Sequence, residues 1–212
     1  MIPLAVPNLT GNEKEYLDNC IKTTFVSSVG EYVNRFEDMI ARETGSAHAV
    51  ATSSGTTGLH AALTAVGAGC GDLVIIPSFT FIATANSIAH CHAMPWIMDI
   101  NAVDWCLDPD VVRREIEKNC VIKDGSLIHS RTGKRVAALM PVYTLGNIPD
   151  MERFRAIADE YGLPLVADAA CAVGATYKGR KFGDLADISV LSFNGNKTIT
   201  CGGGGAVAGN DE

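Results

Sequence analysis

Ile188-Ser189-Val190-Leu191-Ser192-Phe193-Asn194-Gly195-Asn196-Lys197, followed by Gly202-Gly203-Gly204-Gly205, is the stretch on which the fold turns. Its first six residues predict a short apolar strand. A lysine then sits on a turn, with a serine five residues before it and a glycine run five residues after it. That pattern suits a covalent bond between the amine and the aldehyde of a phosphorylated cofactor. The lysine makes the bond, the serine can donate to the phosphate, and the glycines let backbone approach closely. The glycine run reads equally as a plain flexible turn, and only its place after Lys197 favours the closer role.

Working outward, short β-rich runs alternate with helical stretches. Strands are predicted at Ala47–Thr52, Leu73–Pro77, Pro95–Asp99, Val136–Val142, Leu165–Asp168, Ile188–Phe193 and Ala206–Ala208. Several are near-continuous apolar runs, as in parallel strands covered on both faces. Helices are predicted at Thr56–Val66, Ala83–His90, Pro109–Lys118 and Met151–Tyr161, with Asp108-Pro109 and Asp150 as starts. The alternation predicts a three-layer α/β/α domain around a mostly parallel, seven-stranded sheet over residues 46–212. Residues 1–45 form a helical segment with helices at Glu13–Lys22 and Tyr32–Glu43, and a loop at Val26-Ser27-Ser28-Val29-Gly30. Lys123-Asp124-Gly125-Ser126 to Arg131-Thr132-Gly133-Lys134 reads as an inserted hairpin with polar tips.

Composition narrows the class. The 212 residues are 47% apolar and 19% charged, enough for one well-cored domain or one domain of a longer protein. Net charge is −7 and no Lys/Arg cluster offers a footprint for nucleic acid or an anionic membrane. No apolar run is long enough to span a bilayer. Met1-Ile2-Pro3-Leu4-Ala5-Val6-Pro7 lacks the build of a signal peptide. Seven scattered cysteines without a Cys-x-x-Cys read as reduced thiols in a cytoplasmic protein. The chain stops at Gly209-Asn210-Asp211-Glu212, straight after the last predicted strand, and a further segment is expected.

Asp168 closes the run Leu165-Val166-Ala167-Asp168. A carboxylate at the C-terminal edge of a parallel sheet faces the ligand crevice, where it can keep a pyridine nitrogen protonated. The same residue can instead cap a helix begun at Ala169-Ala170; Lys197 downstream tips the reading toward chemistry. Ser54-Gly55-Thr56 follows a strand and opens a helix, an anion site in form, although any βα turn has this look. No Gly-Lys-Ser/Thr follows, so it is not a Walker loop. Gly67-Ala68-Gly69-Cys70-Gly71 precedes a strand and reads as a turn rather than a dinucleotide loop. In Pro77-Ser78-Phe79-Thr80-Phe81, Phe79 reads as a core residue and Phe81 as the ring that can lie on a cofactor. His90-Cys91-His92 has the residue types of a metal site, but in a helix-to-strand turn its side chains diverge.

Together these residues resemble the DegT/DnrJ/EryC1/StrS family of sugar aminotransferases, pyridoxal-phosphate enzymes of fold type I. The resemblance runs through the opening Ile2–Pro7, Gly55-Thr56, Pro77–Thr84, Pro141-Val142, Asp168-Ala169-Ala170, Gly183-Asp184 and Ser192–Lys197. The opening, the hairpin and Ser-Phe-Asn-Gly-Asn-Lys resemble a narrower group. That group aminates nucleotide-linked 4-keto-6-deoxy-N-acetylhexosamines on routes to bacillosamine or legionaminic-type acids.

The resemblance implies that Lys197 bonds pyridoxal 5'-phosphate and then carries the proton between the cofactor and the sugar carbon. It pairs Asp168 with the pyridine nitrogen. It gives the phosphate to Gly55, Thr56 and Ser192, the ring face to Phe81, and substrate contacts to Tyr143 and Ser27. Glutamate is the implied amino donor and a homodimer the implied assembly. Cys171 stands where the family often has Gln, near the cofactor's phenolic oxygen. Tyr143 replaces a usual His, and Gly202–Gly205 replaces Gly-Glu-Gly-Gly. The family's C-terminal small domain has no counterpart in these residues, so little or no turnover is expected of this chain alone. A non-catalytic remnant that binds only cofactor or a partner, and a fold type I enzyme acting on amino acids, are the competing readings. The Thr80–Thr84 and Ser192–Lys197 motifs speak against the second.

Overall fold

The structure is a computed structural model that describes residues 2–3 and 5–211. Met1 and Leu4 of the opening segment, and Glu212 at the end of the predicted core, lie outside the described residues.

The helices are α1 (Glu13–Lys22), α2 (Glu31–Thr44), α3 (Gly55–Ala65), α4 (Ile82–His90), α5 (Pro109–Asn119) and α6 (Met151–Tyr161). The strands are β1 (His48–Thr52), β2 (Leu73–Pro77), β3 (Met94–Met98), β4 (Cys120–Lys123), β5 (Ser126–His129), β6 (Lys134–Leu139), β7 (Val166–Asp168), β8 (Ile188–Ser192) and β9 (Gly205–Gly209). Two helix starts follow from their caps. The Asp108 carboxylate accepts from the Asp110 amide at 2.8 Å ahead of α5, and Asp150 accepts from the Arg153 amide at 3.3 Å ahead of α6.

The strands pair in the orders β1-β9-β8-β7 and β3-β2-β6-β5-β4. Two parallel bridges, Leu139 to Leu165 and Val142 to Asp168, join β6 to β7 and make the two sheets neighbours. Pro141 has no N–H to give, so β6 stops as a ladder there, yet its carbonyl still accepts from the Asp168 amide at 3.0 Å.

The sheet is mixed in strand direction. Among the described residues, β2–β3, β2–β6 and β7–β8 pair in parallel, while β1–β9, β8–β9, β4–β5 and β5–β6 pair antiparallel. Outside the hairpin, with the parallel bridges between β6 and β7 included, parallel pairings predominate as expected, and the antiparallel ones there are those of β9. Strand β9 runs back between β8 and β1, and the hairpin adds β4 and β5, which turn at Asp124-Gly125 with φ of 51° and 75°. Strand direction is a tertiary property that an apolar run does not carry.

The layering follows the pleat. Val74 and Ile76 of β2 pack with Leu59, Leu63 and Ile88 of α3 and α4. Leu73 and Ile75 face the other way, with Val112 and Ile116 of α5 and Phe154 and Ile157 of α6. Helix α2 is tied to the sheet: the Glu37 carboxylate accepts from the Ala51 amide of β1 at 2.8 Å, and Ile40 enters the second core. The chemistry-bearing residues then gather at the ends of β1, β2, β7 and β8, along one edge of the sheet.

Candidate active site

Asp168 is the last residue of β7 and is 4% exposed. Thr84 of α4 donates its hydroxyl to Oδ2 at 2.7 Å, and the Ala170 amide donates to Oδ1 at 3.2 Å. Burial pushes this carboxyl above the ordinary carboxylate range; the Thr84 and Ala170 hydrogen bonds and the nearby Lys197 charge pull the other way. The Ala170 contact is a local turn. No helix begins there, so the helix-cap reading of Asp168 is set aside. Thr80 Oγ1 lies 2.7 Å from Thr84 Oγ1 and continues the chain outward. Neither threonine was singled out from the sequence by role. Their spacing of four, inside the Pro77–Thr84 motif, was the available signal.

Lys197 lies in the loop after β8. Its amide donates to the Asn194 carbonyl at 2.9 Å, and the loop is closed where Phe193 N–H meets the Gly204 carbonyl at 2.9 Å. Its half-buried Nζ donates to Cys171 Sγ at 3.4 Å. Lysine, aspartate and Cys171 thus come together from two strand ends.

Beside them stands the start of α3. The Ser54 hydroxyl accepts from the Thr57 amide at 3.1 Å, and Thr57 Oγ1 accepts from the Ser54 amide at 3.0 Å, a reciprocal cap. The Gly55 and Thr56 amides stay at the positive helix end with no intrahelical carbonyl. A Cβ on Gly55 would lie 2.9 Å from Ser192 Cβ and 3.2 Å from its Oγ, so glycine is what lets α3 touch the end of β8. The Ser192 hydroxyl has no hydrogen-bond partner among the described residues.

The remaining predicted residues divide. Phe81 caps α4 and is 73% exposed, free to cover a ligand. Phe79 is not a core residue as expected: it is 44% exposed, edge-on to Trp105 at 5.5 Å. Tyr143 is not brought to the open edge. Its ring is 1% exposed, packed edge-on against Phe182 at 5.7 Å, and its hydroxyl has no partner. Its amide, by contrast, donates to the Asp168 carbonyl at 2.9 Å. Ser27 is exposed and borders a cavity of about 330 Å³ with Cys20, Phe25 and Tyr32, and makes no contact with the lysine group. In His90-Cys91-His92, Cys91 is buried while both histidines are exposed.

Residues 7–212 match the DegT/DnrJ/EryC1/StrS aminotransferase family. The chain belongs to that family. A GDP-perosamine synthase of Caulobacter vibrioides is 43% identical over 100% of this chain and 53% of its own length. A protein of Bacillus subtilis, EpsN, provisionally named a pyridoxal phosphate-dependent aminotransferase, is 34% identical over 100% of this chain and 52% of its own. The crystal structure of a 3-amino-5-hydroxybenzoic acid synthase superposes with a TM-score of 0.85 at 32% identity, covering 100% of this chain and 51% of that one. The chain spans about half the length of the relatives it matches.

Proposed function

We propose that residues 1–212 are the cofactor-binding large domain of a pyridoxal-phosphate-dependent aminotransferase that aminates a nucleotide-linked 4-keto-6-deoxy sugar, with glutamate as donor. The observation that carries this is the Lys197 amine at Cys171, in the turn that leaves the buried Asp168, beside the free Gly55 and Thr56 amides at the start of α3. The donor set fits the cofactor: an amine for the aldehyde, a carboxyl for the ring nitrogen, and the free amides at the start of α3, held against Ser192 by the close approach that Gly55 allows, for the phosphate.

When bound, pyridoxal phosphate supplies an electron sink for the substrate carbon. Gly55, Thr56 and Ser192 hold the phosphate. Asp168 faces the ring nitrogen, where a cation offsets the burial that raises its pKa. Thr84 fixes the carboxylate's orientation and keeps one oxygen committed. Phe81 covers the ring and keeps water off one face. Lys197 would bond the aldehyde and, when free, would carry the proton between the cofactor and the substrate carbon. Ser27 remains a substrate contact in this reading; Tyr143 acts only through its backbone.

A nucleotide sugar is favoured by the GDP-perosamine synthase relative. Exposed Phe79 and Ile82 give apolar surface for a homodimer, and seven free cysteines suit a reducing cytoplasm. Among the described residues no helix is long and apolar enough to cross a membrane.

The deciding test is incubation with pyridoxal phosphate, borohydride reduction and peptide mapping. The label is expected on Lys197; a folded chain with no label there defeats the reading. The second reading, cofactor binding without catalysis, is favoured by the openness of the site, with Phe81 73% exposed. These 212 residues alone are expected to turn over a keto sugar barely at all, and an ordinary enzymatic rate would refute that.

A further inference from the structure

We infer that Cys171 is a positioning residue for the Lys197 amine, an inference that rests on the function proposed above. The thiol is the side-chain hydrogen-bond partner of Nζ, at 3.4 Å. It is also rigidly placed. Cys171 ends the turn that leaves Asp168, in which the Ala172 amide returns to the Ala169 carbonyl at 2.9 Å and the Ala169 amide is held by the Val190 carbonyl at 2.8 Å. A Cβ on Gly146 would come within 3.1 Å of the Cys171 carbonyl oxygen, so this turn has backbone packed against it from the other side. A long, flexible lysine stem loses rotamer freedom when it is held in one place. A fixed acceptor at its tip selects the rotamer that aims the amine at the Asp168 side of the site. The sulfur therefore pre-sets the reactive nitrogen before any aldehyde arrives.

Contact and role are separable by experiment. o-Phthalaldehyde bridges an amine and a thiol only when they are neighbours. The nitrogen bonds both carbonyl carbons, the sulfur bonds one, two waters leave, and a fluorescent isoindole results without any oxidant. The cofactor-free chain is expected to give this bridge between Cys171 and Lys197, mapped by mass, and to lose it in Cys171→Ala and in Lys197→Ala. Failure of the wild-type chain to form it overturns the contact whatever the protein's function.

The role is read from titrations of pyridoxal phosphate into wild type, Cys171→Ala and Cys171→Ser, followed by borohydride labelling. Cys171→Ala is expected to weaken binding about fivefold, the worth of one hydrogen bond. Cys171→Ser keeps an acceptor and is expected to stay within about twofold of wild type. A labelled wild type with an equally well labelled Cys171→Ala overturns the positioning role alone. A wild type that takes no label at Lys197 overturns the functional reading and the positioning role together.

Discussion

At Asp168, stability and function pull in opposite directions. Its folded pKa is raised by burial. Such a carboxyl favours folding while protonated, below its unfolded value, and loses that contribution as pH rises through the folded value. At pH 7 the cofactor-free chain therefore bears a net stability cost at this carboxyl. Asp168→Asn is expected to stabilise that chain by about 1 kcal/mol at pH 7, with the gain shrinking as the pH is lowered, in urea melts at several pH values. On the proposed function, the same substitution is expected to weaken cofactor binding. A variant less stable than wild type at pH 7 would contradict the assignment of burial as the dominant influence. Tyr143 offers a second test. Its buried hydroxyl has no partner, so Tyr143→Phe is expected to raise stability by about 1 kcal/mol; a loss of that size would mean the hydroxyl is satisfied in solution. From sequence, Asp168 and Lys197 were legible because strand ends announce themselves. Thr84 was not, because it meets Asp168 across 84 residues of chain.

At the scale of elements, the site depends on how closely α3 approaches β8 and β9. A Cβ on Gly205, the first residue of β9, would lie 2.5 Å from the Ser54 carbonyl carbon and 2.6 Å from Thr52 Oγ1. Gly203 faces nothing nearer than the Ser53 carbonyl oxygen at 4.0 Å. Gly205→Ala should cost about 2 kcal/mol or more and loosen the anion site, whereas Gly203→Ala should stay within about 0.5 kcal/mol of wild type. Equal effects of the two in thermal melts would count against the packing described. The glycine run was visible in the sequence as a mark of closeness. Which glycine mattered, and that it answers to backbone around Ser54, was decided by the antiparallel return of β9. Ser54→Ala removes the α3 cap, and a loss of about 1 kcal/mol is expected.

For the whole molecule, the site is assembled from parts on α3, α4, β7 and β8 that only the folded sheet brings together. Ligand binding must then stabilise the fold. Pyridoxal phosphate at one hundred times its dissociation constant should add about 2.7 kcal/mol to the unfolding free energy. Its effect on the melting temperature should be smaller in Lys197→Ala, which lacks the covalent bond. An unchanged melting temperature in the wild-type chain at saturating cofactor would mean that these residues do not form the site by themselves.

What the sequence determined by itself was local. Apolar runs predicted the strands, Asp108 and Asp150 the starts of α5 and α6, and Lys197 lay on a predicted turn after a strand. These features depend on neighbours within a few residues, where hydrogen-bonding and rotamer preferences act directly. The tertiary structure alone decided the direction of β9, the burial of Tyr143, the exposure of Phe79, and the meetings of Thr84 with Asp168 and of Cys171 with Lys197. Those depend on which surfaces the chain can bury together, and burial is a property of the packed whole.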